Sequence, residues 1–255
     1  MAQQELGTGD TRRKPIALGG ALVTMVEPHR GHEVAYNRWY ERDHFYGGCL
    51  IGPYCLAGSR WVAPRQLKDL RWPQQDNAVA TPWDAGSYVA IYFVEKGHHG
   101  DFFGWGSTQV RALYGGGRGF NERTHVHTIL YDFDRAAYRD PDPVPIELAL
   151  DAAYDGIVLA WFDGAPPDVA IDGSNIEIAS TWVPTPGQER PPGTPMDLGS
   201  GPGGPGRTLQ MYFVRGDVTE ALPTIREHTD RANLVMAAPF FRTKVGTDTY
   251  VDDLW

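Results

Sequence analysis

Cysteine is scarce in this 255-residue chain: Cys49 and Cys55 are the only two. That is too few for a disulfide framework or a cysteine zinc site, so both thiols are expected to be reduced and structural. No stretch approaches the roughly 20 apolar residues that cross a bilayer, which removes a membrane-spanning helix. The basic Thr11-Arg12-Arg13-Lys14 precedes an apolar run, but Gly19-Gly20 interrupts it and no small-x-small cleavage site follows. A signal peptide is therefore not expected, and the chain reads as cytoplasmic. A concentrated positive charge is also missing. Lysine and arginine total 23 against 32 acidic residues, giving a net charge of -9, and the basic residues are scattered. Without a basic stripe there are no counterion-release contacts to drive nucleic-acid binding. No G-x-S-x-G elbow occurs. Gly115-Gly116-Gly117-Arg118-Gly119 follows an expected helix and opens none, so it lacks the context of a phosphate-cradling loop. The expected partner is a small molecule, with neither nucleic acid nor membrane, and homo-oligomer formation is optional.

What the chain does hold is an internal repeat. Ser59-Arg60-Trp61-Val62-Ala63-Pro64 returns as Ser180-Thr181-Trp182-Val183-Pro184, about 121 positions on. Ile91-Tyr92-Phe93-Val94 returns as Met211-Tyr212-Phe213-Val214 at nearly the same offset. Further upstream, Gly20-Ala21-Leu22-Val23 matches Gly156-Ile157-Val158-Leu159 at an offset about 15 residues larger. The excess locates a deletion between the first and second strands of the second copy. The first copy holds there the segment from Val34 to His44, so a site built on that segment occurs once per chain.

Turn residues and side-chain periodicity place strands near 16–26, 54–62, 88–94 and 125–133, with helices near 33–46 and 101–114. Gly47-Gly48 should end the first of these helices. This order, βαββαβ, is the ferredoxin-like arrangement. After a stiff Asp140-Pro141-Asp142-Pro143-Val144-Pro145 linker and a short helix at 146–154, the second copy supplies strands near 157–162, 176–183, 208–214 and 240–250. One helix, 218–234, lies among them. The expected fold class is α+β with two tandem ferredoxin-like repeats, the second lacking its first helix. The boundaries are a flexible arm at 1–14, repeat 1 at 15–139, a linker at 140–146 and repeat 2 at 147–255. The Pro/Gly tract 184–206 is expected to be a mobile loop.

The helix absent from the second copy carries the chemistry. At about 100° per residue, Tyr36, Asn37, Trp39, Tyr40, Asp43 and His44 share an arc of roughly 160°. Leu, Ile, Val and Ala would make a core face. Phenols, an indole, an amide, an acid and an imidazole make a pocket wall instead, because buried polar groups need partners or a ligand.

The string Tyr36-Asn37-Arg38-Trp39-Tyr40-Glu41-Arg42-Asp43-His44, followed by Gly52 and by Ser59-Arg60-Trp61 opening onto a strand, resembles the EthD-like branch of the dimeric α+β barrel superfamily. The resemblance covers about residues 16–64. It implies a barrel of two ferredoxin-like sheets packed face to face, here within one chain. Cofactor-free cyclases and oxygenases, isomerases, lyases and haem enzymes share that barrel, so fold alone does not fix the reaction. Two features depart from the motif: Gly47-Gly48 stands where a proline and aliphatics commonly follow the histidine, and Gly52 precedes Pro53.

The resulting expectation is a cofactor-independent lyase, isomerase or cyclase acting by acid/base chemistry on a small hydrophobic, cyclic or aromatic substrate. His44 would move the proton. Tyr40 or Tyr36 would donate to a developing oxyanion, and Asp43 or Asn37 would orient the histidine or substrate. Tyr36, Trp39, Tyr46, Arg60 and Trp61 would line the pocket. His125 and His127 alternate with Val126, which points both to one face of the fourth strand, and they join the pocket lining if that face borders the same cavity. Three converging imidazoles could hold zinc or iron, but no H-x-x-x-H or nearby carboxylate accompanies them, and no metal is assigned. A haem or cofactor-free oxygenase, with His228 as an axial ligand in the haem case, and a non-catalytic binder are the alternatives.

Overall fold

Eight strands form among the described residues, 16–169, 171, 175–187 and 206–255, of the computed structural model. They are β1 Leu18–Pro28, β2 Cys55–Val62, β3 Tyr88–Glu95, β4 Arg123–Tyr138, β5 Gly156–Asp163, β6 Ile176–Pro184, β7 Arg207–Val214 and β8 Leu234–Arg242. The expected arm at 1–14 and most of the expected loop at 184–206 lie outside the described residues. Helix α1 (Glu33–Trp39) continues directly into a π-helix, Tyr40–Leu50. A single turn, α2 (Arg65–Lys68), then α3 (His99–Gly115) and α4 (Val218–Thr229) complete the α-helices, and two 3-10 turns lie at Ile146–Leu148 and Val251–Asp253, the first in place of the expected helix at 146–154. No helix among the described residues is long and apolar enough to cross a membrane.

The strands close into one antiparallel barrel in the order β1-β3-β2-β8-β5-β7-β6-β4. Each half has the same internal order, β4-β1-β3-β2 and β8-β5-β7-β6, which is the ferredoxin-like sheet twice over in a single chain. Strand register matches the repeat residue for residue. Gly20 lies opposite Val94 as Gly156 lies opposite Val214, and Trp61 lies opposite Val89 as Trp182 lies opposite Leu209. Between β5 and β6 no helix occurs among the described residues, where the first half carries α1 and the π-helix.

Eight strands leave an interior just wide enough to be filled by side chains. Trp61, Trp161, Trp182, Phe93 and Tyr131, all fully buried, fill it. Alternation along β1 sends Ala21, Val23 and Met25 into this core, while Leu22, Thr24 and Val26 face the helices outside. A second, smaller core lies between that outer face and the helices, built on Tyr36, Tyr40, Tyr88, Tyr92 and Phe102.

The two seams that close the barrel differ. β4 pairs with β6 from Tyr131 to Tyr138, whereas β2 meets β8 only at Trp61–Arg242 and Val62–Phe241. The short seam leaves a notch beside β2.

Three expectations about elements are corrected. Gly47-Gly48 does not cap a helix; the π-helix runs through both glycines to Leu50. A methyl group at Gly48 would stand 2.8 Å from Cε1 and 2.9 Å from Nδ1 of His44, so this glycine makes room for the imidazole. The final strand is 234–242, not 240–250. Its buried run LVMAAPFFR shows no period of two, and Pro239 disguises it as a non-strand. α4 accordingly ends at Thr229, short of the expected 234.

Candidate active site

The π-helix is the local feature that builds the site. Backbone hydrogen bonds from i to i+5 widen each turn, so residues four apart stay nearly in line. Tyr40, His44 and Gly48 therefore share one side and, with Cys49, form one wall of a cavity of about 70 Å³. Phe102, Phe103, Gly106, Ser107 and Val110 on one face of α3 supply the opposite wall. The outward side chains of Leu22, Thr24 and Thr128 make the floor, and Arg123 and His125 stand at one end. The cavity thus lies between the outer face of the first sheet and its helices, not inside the barrel.

His44 is 5% exposed, and its Nδ1 has no hydrogen-bond partner. Its ring lies flat on Trp39, with centroids 4.4 Å apart, and edge-on to Tyr40 at 5.3 Å. Burial away from water, reinforced by the Arg123 charge, pushes the imidazole from 6.5 down to about 3, while Asp43 opposes the shift. The ring is neutral at physiological pH. Tyr40 shares a 3.0 Å hydrogen bond with the hydroxyl of Tyr92, and burial raises its pKa far above the ordinary phenol value. It remains a protonated donor. Burial likewise lifts the Cys49 thiol to about 12, so this residue contributes packing and no thiolate.

The polar end is a hydrogen-bonded series. Arg123 Nε donates to His125 Nε2 at 3.3 Å, His125 Nδ1 lies 3.1 Å from Thr128 Oγ1, and Thr128 is 2.8 Å from Thr24 Oγ1. A guanidinium donating to Nε2 assigns the His125 proton to Nδ1. Arg123 also lies over the ring of Trp39, 4.7 Å from its centroid, and donates to the hydroxyl of Tyr114. Sequence patterns gave no signal for Arg123 or for the α3 wall. An arginine at a strand start and an ordinary amphipathic helix carry no motif.

Tyr40, His44 and His125 meet at the cavity; the other expected site residues are dispersed. Tyr36 packs against Tyr88 and Phe120 behind the helix, and burial moves its hydroxyl up to about 12. Trp39 backs His44 and donates from its indole to the Arg118 carbonyl. Asp43 does not hydrogen-bond His44: Arg118 Nε and Nη2 reach its two oxygens at 2.9 and 2.7 Å near the surface. That pairing holds the Asp43 carboxyl below its usual range.

Asn37 is fully buried but faces the C-terminal segment. Its amide donates to the Thr247 carbonyl at 3.0 Å and to Asp248 Oδ1 at 2.9 Å, and it accepts from Arg60 Nη1. Arg60 and Tyr46 line the notch beside β2 instead of the cavity. Trp61 belongs to the barrel interior, where the repeat places its counterpart Trp182.

His127 is the clearest correction. A bulge in the β1–β4 ladder sets Met25 opposite His127 and Val26 opposite His125, leaving Val126 as the extra residue. The bulge cancels the period of two, so the two imidazoles face opposite sides of the sheet. His127 enters the barrel core and bonds the Tyr131 hydroxyl at 2.8 Å, which also receives the Trp161 indole N–H. Among the described residues no three His, Cys, Asp or Glu side chains converge as a metal-binding group.

No protein-family model and no curated protein matches the chain. Seventeen chains of solved structures match it by shape. One is a protein provisionally assigned as a chlorite dismutase, 9% identical, with TM-score 0.48 over 94% of this chain and 100% of that one. Another is an arginine-to-alanine variant of chlorite dismutase from Candidatus Nitrospira defluvii, 10% identical, with TM-score 0.44 over 96% and 99%. Likeness at this level assigns no activity, and the dimeric α+β barrel architecture stands on the strand order itself.

Proposed function

We propose that the chain is a cofactor-independent enzyme that moves a proton on a small, hydrophobic, cyclic substrate held in the cavity beside His44. The observation that carries this reading is a dehydrated, neutral imidazole with an unpartnered nitrogen, set against an apolar cavity that has a cation at one end. The aromatic-Asn-x-Trp-Tyr-x-x-x-His stretch that forms this wall supports placing the chain in the EthD-like branch.

A substrate C–H bond breaks, its proton passes to His44, and its electron pair moves onto a carbonyl oxygen near Arg123. Burial first, and the Arg123 charge second, keep His44 unprotonated. An enolate or phenolate formed beside the imidazole and Arg123 supplies a negative charge that offsets both effects and attracts the imidazolium, so proton and negative charge develop together. Tyr40 supplies a hydroxyl donor at the same wall. Return of the proton at another carbon gives an isomerase or cyclase outcome; expulsion of a leaving group gives a lyase outcome. Trp39, by stacking, takes the orienting role expected of Asp43 and Asn37.

At about 70 Å³ the cavity is far smaller than the roughly 300–1,000 Å³ of sites for drug-sized ligands, which favours a compact substrate. Haem, which one oxygenase alternative would require, does not fit a space of this size. His228 lies on α4 and is not among the residues around the cavity.

The test is hydrogen–deuterium exchange at the acidic carbons of small cyclic enones and phenols, followed by NMR in heavy water. The wild-type chain is expected to accelerate exchange, and His44→Gln to lose on the order of 10² to 10⁴ of the rate. Exchange no faster than buffer across the panel, or unaltered in H44Q, overturns the reading. A purely binding protein gives saturable shifts without exchange.

A further inference from the structure

We propose that two threonines on the cavity floor, Thr24 and Thr128, hold the substrate oxygen through one hydroxyl hydrogen, and that the oxygen they take is that of an uncharged ketone. The inference rests on the proton-transfer reading above and names the substrate class for that cavity.

Strand register builds the pair. Thr24 on β1 lies directly opposite Thr128 on β4, so both side chains stand on the outer face of the sheet, and both line the cavity. Their hydroxyl oxygens are 2.8 Å apart, and His125 Nδ1 lies 3.1 Å from the Thr128 oxygen. The Nδ1–H and the two hydroxyls bring three hydrogens to a series that has only two contacts. Whichever way the bond between the threonines runs, one hydroxyl hydrogen is left over. Neither hydroxyl makes a further hydrogen bond among the described residues. An unspent hydrogen on a buried floor marks a missing acceptor, because buried polar groups in folded proteins are otherwise paired.

The series also has a direction. Arg123 can only donate, so His125 accepts at Nε2 and donates from Nδ1 to Thr128. Thr128 then donates to Thr24, and Thr24 donates into the cavity, each bond polarising the next. The charge of Arg123 is thereby felt at the floor, while the guanidinium itself is engaged by His125, by the Tyr114 hydroxyl and by the ring of Trp39. An incoming oxygen meets a single polarised hydroxyl instead of a guanidinium fork. A carboxylate would bury a full charge there against one neutral donor, at far greater cost than a carbonyl. A ketone oxygen needs one donor in the ground state, and its hydrogen bond strengthens as the enolate forms.

The test is infrared difference spectroscopy of cyclohexenone, labelled with carbon-13 at the carbonyl and titrated into the full chain, beside the deuterium-exchange assay. In the wild type the carbonyl band is expected to move to lower frequency on saturable binding, and cyclohexenecarboxylate should not displace the ketone. Thr24→Val/Thr128→Val keeps the side-chain shapes and removes both hydroxyls, so the band shift should vanish and exchange should fall about 10²-fold. Thr24→Ser keeps the hydroxyl and should retain both. Near-UV circular dichroism reports whether the double variant folds; if it does not, Thr24→Val, expected to lose part of the shift, is compared with Thr24→Ser. An unshifted wild-type band, displacement by the carboxylate, or a full shift in the valine variants overturns the proposal, even where exchange persists. A shifted band without exchange supports this oxygen site and overturns the proton-transfer reading instead.

Discussion

The imidazole of His44 lies on the indole of Trp39 with 4.4 Å between ring centroids and 17° between planes, and no hydrogen bond orients its Nδ1. An aromatic face therefore positions the ring, where a carboxylate partner would have raised its basicity.

This arrangement fixes the pH behaviour of the fold. The folded-state value of His44 is depressed from 6.5 to about 3, so as pH falls the unfolded chain takes up this proton first. Its contribution to stability is complete above about pH 6.5 and declines toward pH 3, by at most about 1.4 kcal/mol per pH unit. Arg123 adds to the depression and Asp43 opposes it. Chemical denaturation of wild type and His44→Gln across this range should show the wild type losing more stability as the solution is acidified. A wild-type-minus-variant difference independent of pH would contradict a neutral, buried imidazole.

Gly48 tests the close approach. A methyl group there falls within 3 Å of two imidazole atoms, inside any normal contact distance. Gly48→Ala should cost about 1–3 kcal/mol as an overpacked site and displace the ring, with loss of exchange activity. Urea unfolding and the exchange assay measure the two effects. Unchanged stability and activity would mean that the π-helix has slack which the packing does not show.

Asp43 and His44 feel each other's charge, but no hydrogen bond joins them. The Asp43 carboxylate pairs with Arg118 near the surface, where ion pairs contribute little. Asp43→Asn should leave the melting temperature and exchange rate close to wild type. A large fall in exchange rate would restore the orienting role that helical spacing suggested.

The repeat, its missing helix and the helix that walls the cavity beside His44 were legible in the sequence, because they rest on matched strings and on polar residues at helical spacing. What the sequence hid were departures from regular periods. A π-helix differs from an α-helix by one residue of hydrogen-bond reach, which Gly47-Gly48 conceals as a stop signal. One extra residue, Val126, separates His125 from His127 across a sheet. Arg60 and Asn37 sit on the right elements but turn toward the notch and the C-terminal segment, since one helix presents different faces to two neighbours.

The barrel core offers a contrast to the cavity. Tyr131→Phe removes the hydroxyl that His127 Nε2 and the Trp161 indole both reach. Leaving such buried groups without that partner should cost about 1–3 kcal/mol. Exchange activity, set on the other side of the sheet, should persist at temperatures where the variant is folded. Denaturant midpoints and exchange rates measured together decide this; loss of activity without loss of stability would move the chemistry into the barrel.

Gly106 probes whether the cavity is the working space. It lines the cavity from α3, and a methyl group there meets nothing within 4 Å. Gly106→Ala should therefore stabilise the helix by about 0.5–1 kcal/mol, because alanine loses less backbone freedom than glycine on folding. Gly106→Leu should instead occupy a large part of a space of about 70 Å³. If the substrate binds there, the leucine variant folds at least as stably as wild type yet loses exchange activity, separating stability from function in one residue. Full activity in a stable G106L chain would show that the reacting molecule sits elsewhere, and the role given to His44 would go with it.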